Sequence, residues 1–138
     1  MRSPWVWLAA ALLLVGALVR VSAIPPSIAD GSVAHASAYV VYDGASYTPS
    51  SVTIKKGGTV TFTSTGPLMW VATDAHPLHD GYDGVPQAQH CAPGYTGPKP
   101  FDQCIGGERF VFTFDKIGSW GYHDHLNDEA GGTVIVVE

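Results

Sequence analysis

Hydrophobic and polar residues alternate with a two-residue period over much of the chain. In "SVTIK" Val52 and Ile54 fall on one side, and in "TVTFT" Val60 and Phe62 do the same with threonines opposite. That period belongs to half-buried strands, and "KKGG" between the two runs reads as their turn. Further on, "ERFVFTFD" sets Phe110, Phe112 and Phe114 on one face, and "TVIVVE" is apolar enough for a central strand. No stretch carries the period of a long helix. Short strands punctuated by glycine and proline predict an all-β fold, an antiparallel β-sandwich or barrel.

Two stretches break the pattern. The first, "MRSPWVWLAAALLLVGALVRVSA", has a basic start at Arg2, an apolar run from Trp5 to Val19, and small residues at Ser22 and Ala23. It reads as an export signal over residues 1–23, too short and too interrupted by Arg20 for the ~20 apolar residues of a spanning helix. A membrane is a partner only if that segment is retained. Residues 24–37, with Pro25 and Pro26 and no periodicity, read as a flexible lead-in, which leaves 38–138 as one domain around one core. His35 belongs to the lead-in and is read as solvated. The second break runs from Thr73 to Gly107 and holds His76, His79, His90 and both cysteines. A loop of that length in a compact domain is functional or disordered, and its cysteines argue for order.

Charge narrows the partners. Without Arg2 and Arg20, five basic residues stand against twelve acidic ones, a net of −7, which excludes nucleic acid as an expected partner. An exported chain, periplasmic or extracellular, meets oxidising conditions, so Cys91 and Cys104 are read as a disulfide; the alternative is that Cys91, beside His90, is a thiolate ligand.

Five of the six histidines cluster, in "DAHPLHD" (His76, His79) with His90 nearby, and in "YHDH" (His123, His125). Neutral imidazole is the commonest metal-binding side chain, and copper and zinc are among its preferred ions. In an extended chain His123 and His125 point to one side with Tyr122 away from them, and Pro77 restricts the loop that carries the other pair. Asp74 and Asp124 are candidate acceptors for orienting the rings. Met69 and Trp70 read as core rather than as ligands.

These motifs carry a resemblance. "YTPSSVTIKKGGTVTF", Tyr47 to Phe62, resembles the opening strands of cupredoxins, and "FTFDKIGSWGYH" with "GGTVIVVE" is similar to their last two strands around the metal loop. The resemblance covers most of 38–138, least from about 80 to 107. It implies a Greek-key antiparallel β-sandwich with a metal site at one end. Blue-copper members place a cysteine in the last loop, followed by a histidine and a methionine; here the thiolate position falls on Asp124 and no methionine follows. "GSWGYHDH" is similar to a segment of multicopper oxidases in which a His-x-His pair binds copper, although their three-copper cluster draws on more histidines and more than one domain.

The expectation is an exported copper-binding protein using His76, His79, His123 and His125, with His90 in reserve and zinc as the alternative ion. Its role is copper handling or electron transfer, with a redox or copper-transfer protein as partner. Two alternatives stay open: a small oxidase-like copper enzyme with an open metal position, and a metal-free β-sandwich interaction module. Beyond the histidines no nucleophile-base pair or acid-base constellation is present, so an enzyme is the less favoured class.

Overall fold

In strand β1 (His35–Tyr42) Val40 and Tyr42 are buried while Tyr39 stays 70% exposed, the alternation of a strand with one face on a core. The computed structural model describes residues 33–138; the export segment 1–23 and residues 24–32 of the lead-in lie outside the described residues. The remainder of the lead-in is used for structure, since β1 begins at His35, which remains exposed.

The other elements are β2 (Tyr47–Thr48), β3 (Ser51–Ser64), β4 (Val71–Thr73), the short helix α1 (Gln87–His90), β5 (Arg109–Thr113), β6 (Gly118–Asp124) and β7 (Asn127–Val137). Hydrogen bonding orders them β2-β1-β3-β7-β6-β4, with β5 also on β3. Four pairings are antiparallel, β1–β2, β3–β5, β4–β6 and β6–β7, whereas β1–β3 and β3–β7 are parallel. The all-β sandwich follows from how β3 is used. Its first part pairs with β7, and its second part lies between β1 and β5, so one strand serves two layers.

The change of layer falls at "KKGG". This segment does not reverse the chain, as the sequence pattern suggests, but bends a continuous strand. Gly57 has φ +82°, and a Cβ on Gly58 would sit 2.7 Å from the Lys55 carbonyl oxygen and 2.8 Å from that of Ala36. Only glycine lets two strands approach so closely at that bend.

Between the layers lie Val40, Ile54, Val60, Phe62, Phe112, Phe114, Val134 and Val136, all buried, with Phe110 partly buried against them. The face read from "ERFVFTFD" is therefore the core face, and β7 is central as its composition requires. Two residues of the long loop join this core: Phe101, fully buried among Phe62, Phe112 and Phe114, and Tyr82. The loop also returns along β4, where Thr73 N–H donates to the Phe101 carbonyl at 2.9 Å and Gln103 N–H to that of Val71 at 2.8 Å. A loop anchored by a buried ring and by backbone bonds is ordered, and it brings residues 101–103 to the end of the sheet where β4 and β6 meet.

Candidate metal centre

Strand β6 delivers the first ligand-type residues. Tyr122 turns into the core at 2% exposure, and the next residue, His123, pairs with Ala72 of β4 and emerges at the rim of the sheet. A register shift follows between His123 and Asp124, so that Asp124 folds inward and is fully buried. Its Oδ1 accepts the backbone N–H groups of Trp70 at 2.9 Å and Leu126 at 3.0 Å, while His125 N–H donates to the Trp70 carbonyl at 2.7 Å. Asp124 therefore shapes the turn that aims His125, and its Oδ1 meets backbone donors rather than an imidazole.

The loop after β4 delivers the second pair. Asp74 N–H donates to the Gly121 carbonyl at 3.0 Å, and His79 N–H closes a turn onto the Ala75 carbonyl at 2.8 Å. His79 itself holds φ +53°, a left-handed conformation that a non-glycine residue adopts at some cost. Within this turn His76 is exposed and His79 is buried.

The four rings converge. His79 Nε2 lies 3.2 Å from His76 Nδ1, 3.2 Å from His123 Nε2 and 3.3 Å from His125 Nδ1, and one ring nitrogen from each of the four lies within 4.8 Å of the others. The one lone pair on His79 Nε2 accepts one N–H, so hydrogen bonding does not explain all three contacts. His79 Nδ1 faces Asp102 Oδ2 at 3.2 Å and His123 Nδ1 faces Asp74 Oδ1 at 2.8 Å, and a carboxylate accepts. Each of these rings therefore carries a proton on Nδ1, and with both rings neutral the two Nε2 lone pairs face each other at 3.2 Å. A cation between the nitrogens removes that repulsion.

The spacing also fits an ion. Four nitrogens each about 2.0 Å from one tetrahedral ion stand about 3.3 Å apart. The three separations around His79 match that edge, the other nitrogen pairs lie within 4.8 Å, and a square-planar ion would place one partner of His79 at about 4 Å. Burial lowers the His79 pKa below the usual imidazole value, the Asp102 carboxylate opposing only in part, so the ring is held neutral as a ligand must be.

The remaining sequence candidates take other places. His90, held in reserve as a ligand, stands outside the four-ring cluster. Its Nδ1 is 3.0 Å from Asp83 Oδ2 and its Nε2 3.3 Å from Asp102 Oδ2, which leaves it no free nitrogen. Cys91 and Cys104 are bonded to each other, so the thiolate alternative for Cys91 gives way to the disulfide. Asp74 does orient a ring. Met69 is core, at 0% exposure, but Trp70 is not: its half-buried indole lies 4.5 Å from the His125 ring and donates Nε1–H to Asp102 Oδ1 at 2.7 Å. Asp102 itself was not among the sequence candidates. It is 23 residues from His79 in the chain, and only its place two residues before a cysteine marked it.

Neither a family model nor a curated protein sequence matches the chain. Solved structures do match. A copper-containing nitrite reductase from Thermus scotoductus SA-01 shares 21% identity over 73% of this chain and 22% of its own, with a TM-score of 0.51. The reduced Cu(I) form of an amicyanin mutant shares 22% identity over 76% of this chain and 86% of its own, at 0.50. A pseudoazurin from Sinorhizobium meliloti shares 18% identity over 74% of both chains, also at 0.50. At these identities the likeness is one of architecture, and it agrees with the strand order and the core derived above: residues 33–138 have the cupredoxin fold, with histidines and no free cysteine at the end of the sheet where β4 meets β6.

Proposed function

We propose that this protein binds one copper ion through His76, His79, His123 and His125 and handles copper outside the cell, with a copper-transfer protein as partner. The observation that carries the reading is the convergence of ring nitrogens from His76, His123 and His125 on His79 Nε2 at 3.2–3.3 Å. A bound copper ion supplies a positive charge that all four nitrogens can share. Imidazole sites hold copper(II) more tightly than the other divalent ions of its row, while the spacing around His79 suits a tetrahedral copper(I), and zinc accepts the same four donors. His76 is exposed, so a donor from a partner can replace it without opening the fold. Export rests on residues 1–23 and their apolar run ending in Ser22 and Ala23.

The test is metal content and titration of the purified protein. One copper per chain is expected, lost in the double variant His123→Ala with His125→Ala and retained in His35→Ala. The copper(II) form should lack the intense blue thiolate absorption, since both sulfurs are in the disulfide. A full copper complement in the double variant overturns the reading, and zinc alone at one per chain reassigns the ion.

Electron transfer is the second reading. Trp70 favours it, because its half-buried indole lies 4.5 Å from the His125 ring, an aromatic contact beside the centre through which a docked redox protein could exchange an electron. Reversible voltammetry of the copper form supports this role, and a Trp70→Leu variant with slowed electron exchange but unchanged copper affinity separates it from copper handling.

A further inference from the structure

Asp102 is buried and meets four polar groups from four separate parts of the chain. Its Oδ1 accepts from Trp70 Nε1 at 2.7 Å and from the Cys104 backbone N–H at 2.7 Å. Its Oδ2 faces His79 Nδ1 at 3.2 Å and His90 Nε2 at 3.3 Å. A carboxylate engaged on both oxygens cannot rotate, and the ring that donates to it is fixed in tautomer and direction. Of the four rings in the cluster, His79 is the one whose nitrogen meets the other three, so its direction sets the shape of the whole cage.

The support of Asp102 extends to the disulfide. His90 ends α1, and the next residue, Cys91, is bonded to Cys104, two residues after Asp102, with Cα atoms 5.3 Å apart. That bond holds His90 against Asp102 across 12 residues of chain, while Asp83 Oδ2 faces the other side of the His90 ring at 3.0 Å. Asp83, His90 and Asp102 have fully buried side chains, so none of these contacts exchanges readily with water. The backbone beside Asp102 is tied separately to β4, through Thr73 N–H on the Phe101 carbonyl and Gln103 N–H on the Val71 carbonyl. Losing the disulfide therefore loosens the hold of α1 and His90 on Asp102 while leaving the sandwich and the backbone ties of Gln103 in place.

We propose that Asp102 is a positioning residue of the metal centre, acting through His79, and that His90 and the Cys91–Cys104 disulfide hold Asp102 in place, so that metal affinity depends on a disulfide that touches no ligand. This rests on the reading that His76, His79, His123 and His125 hold the ion. The affinity of the cage is then set in the long loop, and a small change at α1 reaches the metal through two hydrogen bonds.

The experiment uses the purified protein and cobalt(II), whose visible bands report the number and arrangement of its donors. Asp102→Asn should weaken cobalt binding about 10- to 100-fold and alter the bands, well below the temperature at which either protein unfolds. His90→Leu should weaken it as well, while His90→Gln, which keeps a donor toward Asp102, should recover most of the loss. The double variant Cys91→Ser with Cys104→Ser should weaken binding about tenfold, and adding Asp102→Asn to it should cost less than in the parent, because both act through one carboxylate. Unchanged affinity and bands in Asp102→Asn overturn the proposal; if that variant does not fold, equal binding by His90→Leu and the parent does so. Full affinity in the cysteine double variant overturns the part assigned to the disulfide. If the parent binds no cobalt, or His79→Ala binds it as well as the parent, the four-histidine reading has failed and this inference with it.

Discussion

His123 Nδ1 stands 2.8 Å from Asp74 Oδ1, so a carboxylate on the loop after β4 orients a ring delivered by β6. The loop and the strand are held together at this point, because Asp74 N–H also donates to the Gly121 carbonyl. A Cβ on Gly121 would collide with Asp74 Oδ2. Asp74→Asn should weaken metal binding about tenfold, and Gly121→Ala should weaken it too by displacing the same carboxylate. Titration calorimetry of both variants checks this; parental affinity in Gly121→Ala would show that Asp74 has room to move without consequence.

Acid should act against this protein through His79. Its folded pKa lies below the unfolded value of about 6.5, so below that pH the unfolded chain binds a proton that the folded ring refuses. The metal-free protein should therefore lose stability as pH falls from about 6.5 toward the folded value, and regain it as pH rises. Bound metal sharpens the effect, since its ligands must stay neutral. Thermal melts of the metal-free protein and of His79→Phe across this range test the point, and the variant should show the smaller acid dependence.

Alkali should act through the buried tyrosines. Burial together with the Asp115 carboxylate pushes Tyr82 up to about 12, and burial raises Tyr47 and Tyr122 as well. Between about 10 and 12 the unfolded chain loses phenolic protons that the folded one keeps, so stability falls as pH rises through that window. Tyrosinate absorbance should appear in two stages, the exposed rings first and the buried ones together with unfolding. A single stage near 10 would place those hydroxyls in water.

Phe101 joins the loop to the core. Phe101→Ala removes a fully buried ring and should cost about 3–5 kcal/mol of stability, read from chemical denaturation. Because Asp102 follows it directly, the same variant should also weaken metal binding at temperatures where the protein is still folded.

Local signals in the chain gave the inward faces of β3 and β5 and the central place of β7. The faces of Val60 with Phe62 and of Phe112 with Phe114 follow from a two-residue period, and the core lies on those faces. "YHDH" and "HPLH" were also visible as clusters of imidazole. The bend at Gly57 and Gly58 was not, because a lysine-glycine turn looks the same whether the chain reverses or passes into a second layer. Trp70, His90 and Asp102 were misplaced or missed for a different reason. Their roles depend on contacts across 12 to 32 residues of chain, and periodicity carries no information about which loop residues meet. The register shift at Asp124 is a further case: an acidic residue between two histidines reads as an orienting group, whereas it folds inward to cap backbone donors.

The pairing of Phe101 with Asp102 in sequence also governs how an ion can leave. Freeing His79 breaks its buried contact with Asp102, whose segment is held by Phe101, a ring with no solvent exposure, and by backbone bonds to β4. His76, exposed on a turn, is under no such restriction. Ligand exchange should therefore be ordered, with His76 first to detach and first to yield to an incoming donor and His79 last. Amide hydrogens of Thr73 and Gln103 should exchange with solvent among the slowest in the protein, while metal turnover at the exposed side stays fast.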